Sequence, residues 1–417
     1  MMTDSPPRTD PTPRRMRPIR DTIPLDEALS IVVGTAIPVA QTTSVGLDDA
    51  HRRVLSSAIT ATQDVPPFNR AAMDGFAVIA EDTFGASRHE PRVLRRVETV
   101  HTGSVPTRGL SRGECTEIAT GAPIPDRSDA VVMVEETDLG PNNEVQVFTP
   151  VYPRQHVGRR GADISTGQIV LEAGDVLTAS RVGSIAALGL AQVDVFARPR
   201  VAILSTGNEI IQPGQPLGPG QIYDINRFTL GALIGEHGGV ALSYPTAVDT
   251  LDALEAAVDA CLENDILVFS GGSSVGERDL TLDVIERKGE VLFHGIAVKP
   301  GKPTVFGRIG DTPVLGMPGY PTSCLSNAYM LLIPLLRKMA HLPPHRRLTV
   351  TVPAAQRFVS TTGRHQFYTV RVENNKAVGA FKASGDITSM SQADGYIEIQ
   401  AQTDIVEKGE MVEVRLF

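Results

Sequence analysis

The chain has 417 residues, 41% of them hydrophobic, and a formal net charge of -9 from 39 Lys and Arg against 48 Asp and Glu. That apolar content can fill about two to four cores at roughly 100–200 residues per domain, while the acidic balance argues against sequence-independent capture of nucleic acid as the main function. No run reaches the roughly 18 apolar residues of a membrane helix, and the scattered Cys115, Cys261 and Cys324 suit neither a disulfide framework nor paired metal spacing, which points to a reducing cytoplasm.

The opening "MMTDSPPRTDPTPRRMRPIR" combines prolines and charges with little to bury. It reads as neither a secretory leader nor an anchor, and residues 1–18 are expected to be a disordered tail. From Pro24, "PLDEALSIVV" places Leu25, Ala28, Leu29 and Val32 at helical spacing. After "PPFNRAAMDGFAV" the text becomes β-branched and is broken by Gly and Pro, as in "EIATGAPIPDRSDAVVMVEET" and "NEVQVFTPV". Helical character returns in "TASRVGSIAALGLAQVDV". The expected layout is a discontinuous helical domain over 19–63 and 159–197 with a β-rich domain, 64–158, inserted in it.

Beyond residue 197 three short apolar runs recur, "RVAILS", "DILVFS" and "TPVLGM", each followed by a Gly-containing turn. The helical patterns "NRFTLGALIGEHGG" and "TLDALEAAVDACLEN" separate or follow them. Strands alternating with helices predict a parallel α/β domain over 198–343, covered on both faces. Past "HLPPH" the alternating patterns "LTVTVPA", "YTVRVENN", "GYIEIQAQ" and "MVEVRLF" predict a small β domain over 344–417.

In an open parallel sheet the ligand crevice lies beyond the carboxyl ends of the strands. The conspicuous loops fall there: "STGNEI" with Ser205, Thr206, Gly207 and Glu209; "SGGSSVGERD" with Ser270, Gly271, Gly272, Ser274 and Asp279; and "MPGYPTS" with Pro318 and Gly319. Glycines admit backbone amides to a ligand, and helix N-termini add positive partial charge. "AVKPGKPT" supplies Lys299 and Lys302, cations that an acidic protein needs beside an anion, while Glu209, Asp224 and Asp279 suit a Mg2+ ion bridged to phosphates. The crevice therefore reads as a nucleotide or pyrophosphate site. Plain alternatives exist for single residues: Asp224 as a helix cap, Glu209 as a helix-start charge, Lys299 and Lys302 as a solvated hairpin.

Several motifs are misleading. Gly272, Ser274 and Gly276 make a G-x-S-x-G pattern after a strand, but three charged residues separate it from the next helix where a hydrolase elbow would enter the helix directly. "GIAVKPGKP" is one residue too long for a phosphate-binding Walker loop and has Pro303 where Ser or Thr is required. His341 and His345 have a metal-like interval interrupted by prolines.

Eight segments in order, "PPFNRAAMDGFAV", "ATGAPIP", "GRRGADISTGQIVLEAGDVLT", "ARPRVAILSTGNEI", "GQIYDINR", "SGGSSVGERD", "VKPGKPT" and "GMPGYPTSCL", resemble the molybdopterin molybdenumtransferases, the family that includes the E domain of gephyrin. The resemblance implies an α/β molybdopterin-binding domain, a helical domain, an inserted β-rich domain and a C-terminal β-barrel, assembled as a homodimer. It implies that molybdate is inserted into adenylylated molybdopterin with Mg2+ and release of AMP. It further implies an upstream adenylyltransferase and acceptor molybdoenzymes or their chaperones as partners, while the charge and the short apolar runs lead us to expect no nucleic-acid or membrane partner. By motif, Asp74 and Thr120 resemble residues contributed across the dimer, and Glu209, Asp224, Asp279, Lys299 and Lys302 the charged set of the nucleotide domain. Gly295 stands where many relatives have lysine and Tyr320 where Asn is familiar, which leaves tungstate open as the anion without changing the reaction class; the alternative function is a non-catalytic molybdopterin-binding scaffold, as the gephyrin E domain is in receptor clustering.

Overall fold

In the computed structural model residues 19, 21–248, 250–271 and 280–417 are described. The chain forms two compact units, one of residues 44–195 and one that joins the preceding residues to 196–417.

The second of these is built around a six-stranded sheet. In chain order its elements are helix α1 (Leu25–Gly34), strand β1 (Arg200–Ser205), α2 (Asn226–Glu236), β2 (Val240–Ser243), α3 (Leu251–Cys261), β3 (Ile266–Ser270) and α4 (Leu280–Lys288). They continue through β4 (Glu290–His294), β5 (Val305–Ile309), β6 (Thr312–Met317), α5 (Pro321–Asn327) and α6 (Ile333–Met339). The strand order is β2-β1-β3-β6-β5-β4. Pairing is parallel from β2 to β6 and antiparallel from β6 through β5 to β4.

The continuous apolar runs follow from burial on both faces. Val201, Ile203, Ile266, Val268, Leu315 and Met317 face one core, shared with α1, α2 and α6. Their neighbours Ala202, Leu204, Leu267, Phe269 and Val314 face the other, covered by α3 and α4. Period-two alternation thus splits one run between two cores, and each large side chain withdrawn from water contributes roughly 1.5–3 kcal/mol. The antiparallel pair corrects the expectation of a wholly parallel sheet. Only Gly310 and Asp311 link β5 to β6, whose ends pair as Ile309 with Thr312, and a two-residue link forces antiparallel pairing.

The helix expected at Pro24 forms, but Ala28 and Val32 are fully buried in the α/β core. The C-terminal strands β7 (Thr349–Pro353), β8 (His365–Glu373), β9 (Lys376–Gly379), β10 (Gly395–Ile399) and β11 (Met411–Leu416) run in the order β9-β8-β10-β11-β7. A bridge from Ala354, just past β7, to Ala377 in β9 returns the path to its start, so the sheet closes into a barrel. The short strand Val298–Lys299 adds parallel to β8, tying the lysine-bearing loop to this barrel.

The 44–195 unit contains a six-stranded sheet ordered Ala130–Met133, Gly75–Val78, Glu114–Ile118, Arg92–Val100, Glu144–Val147 and Thr137–Leu139. Phe76, Val78, Cys115 and Val132 pack on one face and Ala77, Ile118 and Val131 on the other. The helix Ala179–Ala187, capped by Thr178 accepting from the Arg181 amide, buries Ile185 in a separate cluster with Leu55, Leu177 and Val195. Of the residues expected to make a helical domain, this is the one α-helix in the unit; the remainder is strand, turn and the short 3-10 helix Leu47–Asp49.

Gly75 opens the strand next to the edge strand Ala130–Met133, where an added Cβ would sit 1.9 Å from the Val132 carbonyl oxygen. Gly75→Ala is expected to cost about 1–3 kcal/mol through forced backbone displacement. A thermal melt showing an unchanged midpoint for the 44–195 unit would contradict this.

Candidate functional site

Register brings the strand-end loops level. Ser205 pairs with Ser270, and Ser270 with Met317, so the loops beginning at Thr206, Gly271 and Pro318 leave the sheet along one line. The ladder continues one step into them: Thr206 N–H donates to Ser270 O at 3.0 Å and Gly271 N–H to Met317 O at 3.3 Å. Because β5 runs the other way, its start at Val305 lies opposite Gly316, and the 295–304 loop opens on the same edge.

Close backbone approach explains the glycines. Gly271 has φ +100°, and a Cβ there would meet Thr206 O at 2.7 Å. Gly207 has φ +131°, with both Glu209 carboxylate oxygens 2.8 Å from where its Cβ would stand. Glu209 is exposed above this turn, while its carbonyl accepts from Ile222 N–H at 2.9 Å. The Thr206 hydroxyl oxygen is buried and makes no hydrogen bond among the described residues.

Asp224 is only 5% exposed. Its Oδ2 accepts from the Ser205 hydroxyl at 2.6 Å and its Oδ1 from Arg227 N–H at 3.1 Å. The helix-cap alternative is thus realised, and the same carboxylate is also fastened to the end of β1. Asn226, the next polar side chain, donates from Nδ2 to Gly319 O at 2.9 Å and joins this turn to the third loop. Below them the Cys324 thiol is pushed up to about 12, by burial first and then by Asp224, against a hydrogen bond with Ser270.

The cations are engaged in this structure. Lys299 Nζ donates to Thr361 Oγ1 at 2.8 Å and Lys302 Nζ to Ile19 O at 2.7 Å, so neither belongs to a solvated hairpin. Gly295 has φ +98° and holds the N-terminal segment close: an added Cβ would lie 2.4 Å from Ile19 Cγ2. Gly272, Ser274 and Asp279 lie outside the described residues. His341 bonds Val39 O through Nε2 at 2.8 Å and stacks on Phe196, whereas His345 meets His237 edge-on, so the two do not act as a pair.

In the 44–195 unit Asp74 Oδ1 accepts from Thr120 N–H at 2.6 Å and from Thr120 Oγ1 at 2.9 Å. The two residues singled out by separate motifs are direct partners. The backbone donor first, and the hydroxyl second, hold the Asp74 carboxyl below the ordinary value of 3.8.

The reading of single residues missed Asn226 and Asn327. The first stands inside the "DINR" segment already marked for Asp224, while the second, in "CLSNAYMLL", is surrounded by helix-core residues that give no sign of it.

A sheet edge with glycine turns, buried polar side chains and nearby lysines is the layout of an α/β protein whose strand ends could receive an anionic ligand. Comparison with known proteins makes this particular. Residues 23–189 match the MoeA N-terminal region (domain I and II), 202–338 the probable molybdopterin binding domain, and 351–417 the MoeA C-terminal region (domain IV). The chain is 34% identical over 384 residues to a molybdopterin biosynthesis protein of Methanocaldococcus jannaschii, covering 89% of this chain and 91% of the relative. It is 32% identical to molybdopterin molybdenumtransferase 2 of Mycobacterium tuberculosis, covering 92% and 97%. The crystal structure of a molybdopterin biosynthesis MoeA protein from Pyrococcus horikoshii superimposes with a TM-score of 0.83 at 39% identity, covering 95% of this chain and 99% of that one. The chain belongs to the MoeA family of molybdenum cofactor biosynthesis proteins. No described helix is long and apolar enough to cross a membrane.

The Asp74–Thr120 pair gives a pH prediction. A carboxylate held below its unfolded value stabilises the fold above that value, and the contribution disappears as pH falls through the folded one. Thr120→Val removes the hydroxyl donor and keeps the N–H. The Asp74 carboxyl midpoint, followed by NMR from pH 6 to 2, is expected below 3.8 in wild type and to move upward in the variant; coincident curves would show that the hydroxyl contributes nothing.

Proposed function

We propose that this protein inserts molybdate into adenylylated molybdopterin and releases AMP, and that the reaction takes place at the edge where β1, β3 and β6 end. One observation carries the location: register brings three loops that start with close-packed glycine turns, at Gly207, Gly271 and Gly319, to one level beside the buried Ser205–Asp224 pair. Backbone amides at such an edge bind phosphate oxygens, so the pyrophosphate link between AMP and the pterin phosphate fits there.

Glu209 and Asp224 offer hard carboxylate oxygens of the kind Mg2+ takes together with substrate phosphates. Asp224 keeps unused lone pairs beyond its two hydrogen bonds, so the donors fit this ion. Bound there, Mg2+ would neutralise charge on the pyrophosphate. Ser205 orients Asp224 through its 2.6 Å bond, and Glu209, exposed over Gly207, faces solvent where substrate arrives. Lys302 and Lys299 would exchange Ile19 O and Thr361 Oγ1 for anionic oxygens of molybdate or phosphate, since a charged acceptor outcompetes a neutral one. Asp279 enters this set on the resemblance of its motif.

We extend the proposal to a homodimer in which Asp74 and Thr120 reach the crevice from the second copy, on the strength of the family resemblance. An upstream adenylyltransferase would supply the substrate, and acceptor molybdoenzymes or their chaperones would take the product, in the cytoplasm.

AMP release from adenylylated molybdopterin with Mg2+, measured with molybdate and with tungstate, tests the reaction. Glu209→Gln is expected to slow oxyanion-dependent release roughly 100-fold, the scale of losing one charged catalytic group. AMP binding with no oxyanion-dependent release would favour the scaffold function instead, and faster release with tungstate would reassign the anion.

Mixing subunits tests the shared site. Asp74→Ala and Glu209→Ala homodimers should each be inactive, whereas a mixed dimer restores one intact site if the two residues come from different subunits. Mixed dimers as inactive as either parent would place both residues in one subunit's site.

A further inference from the structure

The 295–304 loop, which carries both lysines, contains two prolines and two glycines, none of its residues is exposed, and its turn is held by hydrogen bonds from a neighbouring helix. Asn327, the last residue of α5, is fully buried. Its Nδ2 donates to Gly301 O at 2.9 Å and also to Thr304 Oγ1. Thr304 Oγ1 in turn donates to Gly301 O at 2.9 Å, closing a triangle of three hydrogen bonds around the turn. Gly301 has φ +105°, and an added Cβ would stand 2.4 Å from Asn327 Oδ1, so the asparagine occupies the space a side chain at 301 would need. Burying an amide is costly unless it is hydrogen-bonded, and here both donor bonds go to this one turn.

The same helix begins at the third strand-end loop, where Gly319 O accepts from Asn226. The segment Pro318–Asn327 therefore touches the Asp224 turn at its start and the lysine turn at its end. We propose that Asn327 is a positioning residue that presets the Lys299–Thr304 turn, so that Lys302 meets the anionic substrate at a fixed distance from the Asp224 side of the crevice. This rests on reading that crevice as the substrate site. The effect expected is on anion capture, because the nucleotide side is tied by Ser205 and Asn226, not by Asn327.

The test combines two readouts on the full chain. First, hydrogen exchange without ligand: the amides of Gly295, Ile296 and Thr304 bond to Thr304 O, Lys302 O and Lys302 O, and depend on the turn. Asn327→Ala is expected to speed their exchange at least tenfold while exchange in β1 and β3 stays unchanged. Second, a double-mutant cycle in molybdate-dependent AMP release: Asn327→Ala should raise the half-saturating molybdate concentration roughly tenfold with AMP affinity unaltered, and should add less than twofold on a Lys302→Ala background.

Unchanged exchange at the three amides overturns the proposal, as does a full, multiplicative effect of Asn327→Ala on the Lys302→Ala protein. Parallel losses in AMP affinity, maximal rate and melting temperature would reduce Asn327 to a structural residue and also overturn it. If Asn327→Ala does not fold, the isosteric Thr304→Val, which breaks the same triangle from the turn side, carries both readouts. A wild-type protein that binds neither AMP nor molybdate overturns the assignment of the crevice, an outcome distinct from the exchange result, which reports on the turn alone.

Discussion

The parallel register of β1, β3 and β6 is the constraint on which the rest of this protein depends. Ser205, Ser270 and Met317 stand side by side because each strand is buried on both faces and cannot slip by one residue without exchanging its two cores. A slip would carry Val201 and Ile203 into the layer built for Ala202 and Leu204. With the register held, three loops must leave the sheet at one height, and their backbone groups and glycines collect along one edge.

At that edge the chain replaces apolar packing with a connected set of polar bonds. Ser205 holds Asp224, Asp224 accepts from the Arg227 amide, Asn226 holds Gly319, and Asn327 holds Gly301. Each donor is buried or nearly so, where an unmade hydrogen bond costs about 1–3 kcal/mol. The turns at Asp224, Gly319 and Gly301 are therefore specified by buried hydrogen bonds. For a protein of net charge -9, lysines on a loop held in this way would, on the proposed function, bind an anion locally without changing the charge of the whole.

Much of this was legible in the residues. The three apolar strand runs, the helices at 226–236 and 251–261, the four alternating C-terminal strands and the loops after β1, β3 and β6 all follow from periodicity and from Gly and Pro punctuation. Less legible were β4 and β5. "EVLFH" and "VFGRI" flank a Pro- and Gly-rich loop that masks them, and their antiparallel sense depends on a two-residue link seen only once β5 and β6 are paired. Likewise α1 looked like the start of a helical domain because its pattern specifies an apolar face and says nothing of which core receives it. Asp74 and Thr120 were each marked by a motif, the two 46 residues apart, but that they bond to one another belongs to the fold.

The sequence by itself determined the class of each element, the residues that carry charge and the order of the motifs, because hydrophobic period, turn chemistry and residue type are local properties. Tertiary structure alone decided that Asn226 and Asn327 fasten loops, that Asp224 is both a cap and a partner of Ser205, and that Lys302 meets Ile19 across 283 residues of chain. Those are contacts between segments far apart in the chain, and a buried amide in a helix looks the same in sequence whether or not a carbonyl from another loop stands opposite it.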